Sequence, residues 1–205
     1  LPEVIRSVND DPAIHGCLLL RPLADKAAEE AAGRLLSPDK DVDGMTTASL
    51  GALVTGAAGF APCTAEACME LLRAHGIDPA GRRVTIVGRS LVIGRPAALL
   101  LTRADATVTL CHRKTPDLAA RCRDADILLA AAGAPGLITT DFVRPGQIVL
   151  DAGATALPDG TLRGDVAPDA ADIAVCTPVP GGIGSVTTAL LLRHTVQAAE
   201  NLRHF

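Results

Sequence analysis

Tryptophan and tyrosine are absent from this chain of 205 residues, and phenylalanine occurs only three times. A core must therefore be built from Leu, Val, Ile and Ala, and no tyrosine hydroxyl within these residues can serve in catalysis. Basic runs are missing as well: 19 Lys and Arg stand against 23 Asp and Glu, a formal net charge of −4. Without a basic stripe or an aromatic stacking platform, a nucleic-acid partner is not expected. No apolar stretch reaches the roughly 18–20 residues that span a bilayer, and no signal peptide opens the chain, so a membrane partner is not expected either. The six cysteines (17, 63, 68, 111, 122 and 176) form no CxxC pair. Scattered thiols in a chain of this size predict a reducing, cytoplasmic setting rather than a disulfide frame.

What is present is a globular balance, 48% apolar and 20% charged, enough for one compact domain or two small ones. The chain starts at Leu1 rather than Met, and Leu1, Val4, Ile5 and Val8 already follow a helical stripe. This reads as entry into a helix of something larger, with an earlier part not represented. Residues 15–20 (HGCLLL) read as a buried strand stopped by Pro22, and residues 25–36 as a helix. A loop-rich stretch follows from Pro38 to Gly59. Residues 64–76 read as a helix capped by Thr64 and closed by Gly76. Strands at 83–87, 107–111, 127–131, 148–151 and 173–175 then alternate with helices at 94–103 and 117–125, and a last helix covers about 187–202. That alternation predicts an α/β fold with a doubly wound, Rossmann-like centre. The expected division is a partial substrate domain at 1–61, a nucleotide-binding domain at 62–177, and a loop and helix at 178–205 that return to the first.

The segment VTIVGRSLVIGRP (84–96) runs a buried strand through Gly88-Arg89-Ser90 into a helix at Gly94, with Pro96 in its first turn. Such a turn aims backbone N–H groups at a phosphate, which the helix dipole favours. The spacing is G-x-S-x-x-x-G rather than G-x-G-x-x-G, so a ligand-free strand–helix connection is a competing reading. After the next strand, where NAD-binding folds place an acidic residue for the ribose 2′-hydroxyl, stand His112, Arg113 and Lys114. A guanidinium suits a 2′-phosphate, so NADP is favoured over NAD; a solvated basic loop is the alternative. Two further segments stand out. KDVDG (40–44) places carboxylates at Asp41 and Asp43, able to cap a helix or anchor a polar heterocycle. No further oxygen ligand follows at calcium-loop spacing, so no metal is expected. TPVPGGIG (177–184) reads as a stiff loop lining a cleft, or as a plain connector.

KDVDG, PCT (62–64), VGRSLVIGRP, ATVTLCHRKT (106–115) and TPVPGGIG together resemble, in order and spacing, the bifunctional methylenetetrahydrofolate dehydrogenase/methenyltetrahydrofolate cyclohydrolases. The resemblance implies a folate domain and an NADP-binding Rossmann domain in a homodimer, acting on a tetrahydrofolate derivative. It implies that Gly88, Arg89 and Ser90 hold cofactor phosphates, that Arg113 sits by the 2′-phosphate, and that Ala154 lies at the nicotinamide end. Asp43 takes the place of the aspartate that hydrogen-bonds the pterin ring, and Pro180, Gly181, Gly182, Gly184 and Thr187 line the folate site. Departures are also visible. The family's cyclohydrolase lysine, one turn after a tyrosine, has no counterpart at Lys26, Lys40 or Lys114. The glutamine of the family's HGILVQLP is replaced by Leu20, with Arg21 after it, and Gly-Pro-Met-Thr becomes Gly184-Ser185-Val186-Thr187.

Hydride transfer from a folate relies on positioning more than on a protein base. Hydrolysis of the methenyl bridge needs a proton acceptor. The residues therefore predict a dehydrogenase with weak or absent cyclohydrolase activity. Two alternatives stay open: a divergent member binding folate and NADP with a changed substrate, which Leu20 and Ser185 favour, and a non-catalytic subunit.

Overall fold

Stretches with a helical apolar stripe and an end signal become helices, and short β-branched runs become strands. The computed structural model describes residues 1–203. Its helices are α1 (Pro2–Asp10), α2 (Lys26–Leu35), α3 (Thr47–Thr55), α4 (Cys63–Ala74), α5 (Gly94–Arg103), α6 (Leu118–Asp124), α7 (Pro168–Ala171) and α8 (Ile183–Arg203). The strands are β1 (Arg83–Val87), β2 (Thr107–Cys111), β3 (Ile127–Ala130), β4 (Ile148–Asp151), β5 (Thr155–Ala156), β6 (Leu162–Arg163) and β7 (Val175–Cys176). Two compact units result: one holds residues 1–63 together with the chain from Thr188 onward, the other residues 64–187.

The second unit is an α/β fold with a five-stranded parallel sheet in the order β2-β1-β3-β4-β7. Every residue of β3 is buried, as are Val84 to Val87 of β1, the continuous apolar pattern of strands covered on both faces. Register matters most here. Val87 pairs with Cys111 on one side and Ala130 on the other, and Ala130 pairs with Asp151. Four strands therefore end level, and the segments that follow them leave from one edge. Because β1 leads outward to β2 while β3 lies on its other side, this edge contains a topological switch point, where open α/β sheets bind ligands. At the opposite end Arg83, Asp124, Asp126 and Arg144 form an exposed ion-pair network. Its Arg83 hydrogen bonds bring the Asp126 carboxyl down to about 2.

In the first unit α1 packs on α2 through Ile5, Ala32 and Leu36, with Val8, Cys17 and Leu19 against them. Lys40 is 5% exposed and its Nζ donates to three carbonyls, Val8 O (2.7 Å), Asn9 O (2.9 Å) and Asp11 O (2.8 Å). An ammonium across a helix C-terminus satisfies orphan carbonyls and complements the dipole. Asn9 extends the clamp, donating to Leu35 O and accepting from Ser37 N.

Several elements differ from the sequence expectation. Residues 15–20 form no strand: only Cys17 pairs, in a single bridge to Asp41, and without a longer ladder the run stays irregular. The loop expected from Pro38 to Gly59 contains α3, whose cap is Thr46 accepting from Ser49 N. Helix α4 begins at Cys63, so Thr64 lies inside its first turn rather than capping it. The last strand starts at Val175, because turns from Ala170 O to the amides of Ile173 and Ala174 consume the preceding residues.

Candidate functional site

At the carboxyl edge of the sheet, β1 ends in a turn that only glycine can make. Gly88 has φ +128°, and a Cβ there would collide with the Ala131 carbonyl at the end of β3. Gly94, the first residue of α5, approaches the Gly88 carbonyl so closely that its own Cβ would collide with it. The two glycines thus close the turn on itself. Within it, Ser90 Oγ accepts from Ile93 N (3.1 Å) and Ser90 O accepts from Arg95 N (3.0 Å). Among the described residues the N–H groups of Arg89 and Ser90 have no acceptor, and both side chains are exposed. Free amides at a helix start with an adjacent guanidinium are an anion cradle.

After β2 the chain makes a tight turn: His112 N donates to Thr115 Oγ1 (2.9 Å), Thr115 N to His112 O (2.7 Å) and Lys114 N to His112 Nδ1 (3.2 Å). His112 is thereby occupied in holding the turn. Arg113 and Lys114 are left exposed at its tip. After β4, Ala154 is exposed as well.

Behind this edge lie two buried acids that the sequence reading did not pick out. Asp165 is 0% exposed and accepts three backbone N–H bonds, from Ala132 (2.6 Å) and Gly133 (3.0 Å) on Oδ2 and from Ala134 (2.7 Å) on Oδ1. Asp151 accepts from Gly153 N (2.9 Å), Asp165 N (3.0 Å) and Val166 N (2.9 Å). Its own amide donates to Thr177 Oγ1 (2.8 Å), which ties the start of the 177–184 loop to the same edge. Burial raises the Asp165 carboxyl above its ordinary value; the three amides pull it down, and nearby Asp151 pushes it up. These carboxylates fasten the segments after β3 and β4 without a counter-cation. The usable signal was local: a buried strand, IVLD, ending on a carboxylate two residues before a glycine.

In the 177–184 loop the Val179–Pro180 peptide is cis and Gly181 has φ +97°. A Cβ at Gly182 would meet the Pro178 carbonyl. The last helix starts at Ile183 rather than near 187, so the loop ends at Gly182, and Gly184 and Thr187 lie in the first turns of α8. Pro180, Gly181 and Gly184 are exposed, and Thr187 Oγ1 donates to Ile183 O (3.0 Å).

The first unit separates the two carboxylates of KDVDG. Asp41 is 0% exposed and accepts from Met45 N (3.0 Å), Thr46 N (2.8 Å) and Ser49 Oγ (2.6 Å). It is a helix-start anchor and is spent structurally. Val42 is buried in the core with Phe60 and Ala198. Gly44 (φ +63°) lies so close to residues 60–62 that a Cβ would stand 2.5 Å from the Ala61 carbonyl carbon. Asp43, held between these two, receives Arg21 Nη2 on Oδ2 at 3.0 Å, with the side chains 16% and 17% exposed. Burial pushes the Asp43 carboxyl up, Arg21 draws it down, Asp41 pushes it up and the Cys63 thiol draws it down; the net direction is upward. Leu20, beside Arg21, is 77% exposed. Arg21 is the residue that sequence reasoning left without a role.

Taken together, Gly88, Arg89, Ser90, Arg113 and Ala154 occupy one edge of one sheet. Asp43 and Leu20 belong to the other unit, 23 positions apart in sequence but linked through Arg21. No group of three or more metal-ligating side chains occurs among the described residues. No described helix is long and apolar enough to cross a membrane.

Residues 62–203 match the family described as "Tetrahydrofolate dehydrogenase/cyclohydrolase, NAD(P)-binding domain". The chain is 53% identical over 203 residues to "Bifunctional protein FolD 1" of Rhodococcus jostii, covering 96% of this chain and 68% of that protein. Its structure is similar to that of the bifunctional FolD methylenetetrahydrofolate dehydrogenase/cyclohydrolase of Campylobacter jejuni, with TM-score 0.92 and 40% identity, covering 98% of this chain and 72% of that one. It is also similar to the Trypanosoma brucei methylenetetrahydrofolate dehydrogenase-cyclohydrolase complexed with NADP cofactor and inhibitor, with TM-score 0.90 and 37% identity, covering 98% of this chain and 71% of the other.

Proposed function

From the premise that this chain belongs to the tetrahydrofolate dehydrogenase/cyclohydrolase family, we propose that it oxidises 5,10-methylenetetrahydrofolate to 5,10-methenyltetrahydrofolate with NADP. The observation that carries this reading is the closed Gly88–Gly94 turn with Arg113 beside it on one sheet edge. A Cβ at either glycine would fill the approach, and the amides of Arg89 and Ser90 stand ready for phosphate, so these residues fit a dinucleotide.

NADP, when bound, supplies the hydride acceptor. The chain's own part is placement. The free amides of Arg89 and Ser90 would hold the pyrophosphate, while the Gly88 amide is spent on Cys111 O (3.0 Å) and Gly88 would serve by leaving room for the approach. Arg113 would hold the ribose 2′-phosphate by paired charge-assisted bonds. Ala154, a small exposed residue after β4, leaves room for the nicotinamide end. Asp43 is proposed to accept ring N–H donors of the pterin, as the family resemblance implies. A protein base is not needed for the oxidation, since a substrate nitrogen lone pair drives the hydride away; holding the reactants in place carries the rate.

The assay combines methylenetetrahydrofolate with NADP⁺ and follows NADPH and methenyl-folate together by absorbance. Appearance of both is expected; if neither signal moves, the proposal is wrong. Arg113→Ala is expected to raise KM for NADP⁺ roughly 10–100-fold, the worth of one or two bonds to a charged group, and to leave KM for NAD⁺ unchanged. Equal losses with both cofactors would remove Arg113 from the 2′-phosphate.

Hydrolysis of the methenyl product is proposed to be slow. Leu20 puts an exposed hydrocarbon where the family's glutamine would offer a donor and an acceptor to a proton-transferring group. In a complete chain that carries the family's lysine, Leu20→Gln is therefore expected to raise the cyclohydrolase rate about tenfold, the worth of one regained hydrogen bond, with dehydrogenase rate unchanged. An unchanged ratio of the two rates would refute this.

A homodimer and a cytoplasmic setting belong to the same reading. Strand β2 is a sheet edge with Thr107, Thr109 and Leu110 exposed, an edge another copy can cover. Sedimentation is expected to give twice the 21.0 kDa of the chain; a monomer at micromolar concentration would count against it. None of the six cysteines is in a disulfide, and burial pushes the thiols of Cys68 and Cys122 up to about 12 and that of Cys176 to about 11. They persist as packed thiols, as a reducing compartment requires.

A further inference from the structure

The Arg21–Asp43 pair changes what a ligand meets at Asp43. A partly buried carboxylate standing alone attracts a cationic ring: a protonated amidine or diamino heterocycle covers its charge and forms two parallel bonds to it. Here the charge is already covered. Arg21 Nη2 sits 3.0 Å from Oδ2, and both side chains are largely shielded from water. Neither partner is free to drift. Asp43 is fenced by buried Val42 and by Gly44, which has no room to shift against residues 60–62. Arg21 lies in a segment fastened by the bond from Leu23 N to Glu29 Oε2 (2.8 Å). The other charged or titratable groups that act on Asp43 are Asp41, already committed to three donors, and the Cys63 thiol. Neither brings a positive charge.

We infer that Arg21 is a specificity-determining residue, which neutralises Asp43 in place so that the site accepts an uncharged 2-amino-4-oxo ring and rejects a cationic 2,4-diamino ring. This rests on the reading of Asp43 as the ring anchor. A cationic ring would bring a second positive charge to a carboxylate that already has one, and the repulsion from Arg21 across a few ångströms is only partly screened in a half-buried site. An uncharged ring donates its N–H groups to the same carboxylate without that penalty. Selection operates by charge, with no need for a change in shape.

The test uses two probes, 2-amino-4-oxopteridine and 2,4-diaminopteridine, titrated calorimetrically into the full chain at a pH where the diamino ring is protonated. The wild-type protein is expected to prefer the oxo ring. In Arg21→Leu the cation is gone while burial and Asp41 remain, so the preference is expected to shift by about tenfold or more toward the diamino ring. Arg21→Lys keeps the positive charge and is expected to keep the wild-type preference, which separates charge from folding. An Arg21→Leu ratio within twofold of wild type would overturn the inference, as would an Arg21→Lys shift as large as that of the leucine variant. Wild-type protein that binds neither ring would remove Asp43 as the anchor, and this inference with it. A shift in ring preference without any dehydrogenase activity would uphold the inference while defeating the proposed reaction.

Discussion

Alanine at Gly88 is expected to abolish NADP binding and to lower the stability of the nucleotide-binding unit by about 2–5 kcal/mol, from a strained backbone plus overpacking. Two independent causes act at one atom. At φ +128° a residue with a Cβ is strained wherever it stands, and this Cβ would collide with a backbone carbonyl, that of Ala131. Backbone cannot swing aside as a side chain can, so either β1 and β3 part at their ends or the turn opens. Both outcomes displace the Arg89 and Ser90 amides. Gly94→Ala offers the contrast, because Gly94 has no positive φ and meets only the Gly88 carbonyl and the Arg89 amide of its own turn. It is expected to cost less stability yet still lose most of the cofactor affinity. Calorimetric titration with NADP, beside thermal unfolding, reads the two quantities separately. Binding by Gly88→Ala within threefold of wild type would show that the turn does not carry the phosphates.

Asp165→Ala is the substitution expected to cost the most stability without touching any ligand. It strips the acceptor from three amides, those of Ala132, Gly133 and Ala134. Donors left without acceptors in a part-buried setting cost about 1–3 kcal/mol each when fully dry. Allowing for water reaching some of them, about 3–4 kcal/mol is expected, read from urea unfolding. Asp165→Asn should cost about half as much, since its oxygen can serve the two amides on the Oδ2 side while its NH₂ faces the third.

The pH dependence has a definite sign. The folded carboxyl of Asp165 is raised by burial above its unfolded value, so the folded state binds the proton more tightly. Its contribution to stability therefore grows as pH falls through the raised folded value toward the unfolded one, and is weakest above both. Asp165→Asn has no such group. The stability gap between wild type and Asp165→Asn is expected to widen on acidification; a gap that narrows would contradict the direction of the shift.

The parts of this molecule legible in its sequence were the local ones. A β-branched run, a glycine turn and a helix start lie within 13 consecutive residues, so the strand–turn–helix after β1 could be read directly, and so could the exposed basic residues following β2. Features that depend on distant partners could not be read. Asp151 and Asp165 are 14 positions apart, and no periodicity announces that one accepts the amide of the other. Arg21 and Asp43 are separated by 22. Helix α3 (TASLGALVT) has only Ser49 and Leu53 buried, so it lacks an apolar stripe, and part of its anchoring comes from Asp41 upstream. The strand expected at 15–20 had the right composition, but composition does not supply a neighbour, and only Cys17 found one. KDVDG shows the limit most sharply: five adjacent residues proved to be a helix clamp, a helix-start anchor, a core residue, the partner of Arg21 and a backbone contact point.

The clamp also sets the chain's amine chemistry. Three lysines are present, and Lys40 gives its ammonium to three carbonyls inside the fold. A reagent must reach the nitrogen to react with it, and Lys40 is 5% exposed with its Nζ enclosed by those three carbonyls. Lys26 and Lys114 stand exposed. Among the lysine side chains, acylating reagents thus meet two exposed amines rather than three, one on α2 and one at the tip of the turn beside Arg113, and a label at Lys114 falls beside the residue proposed for the 2′-phosphate.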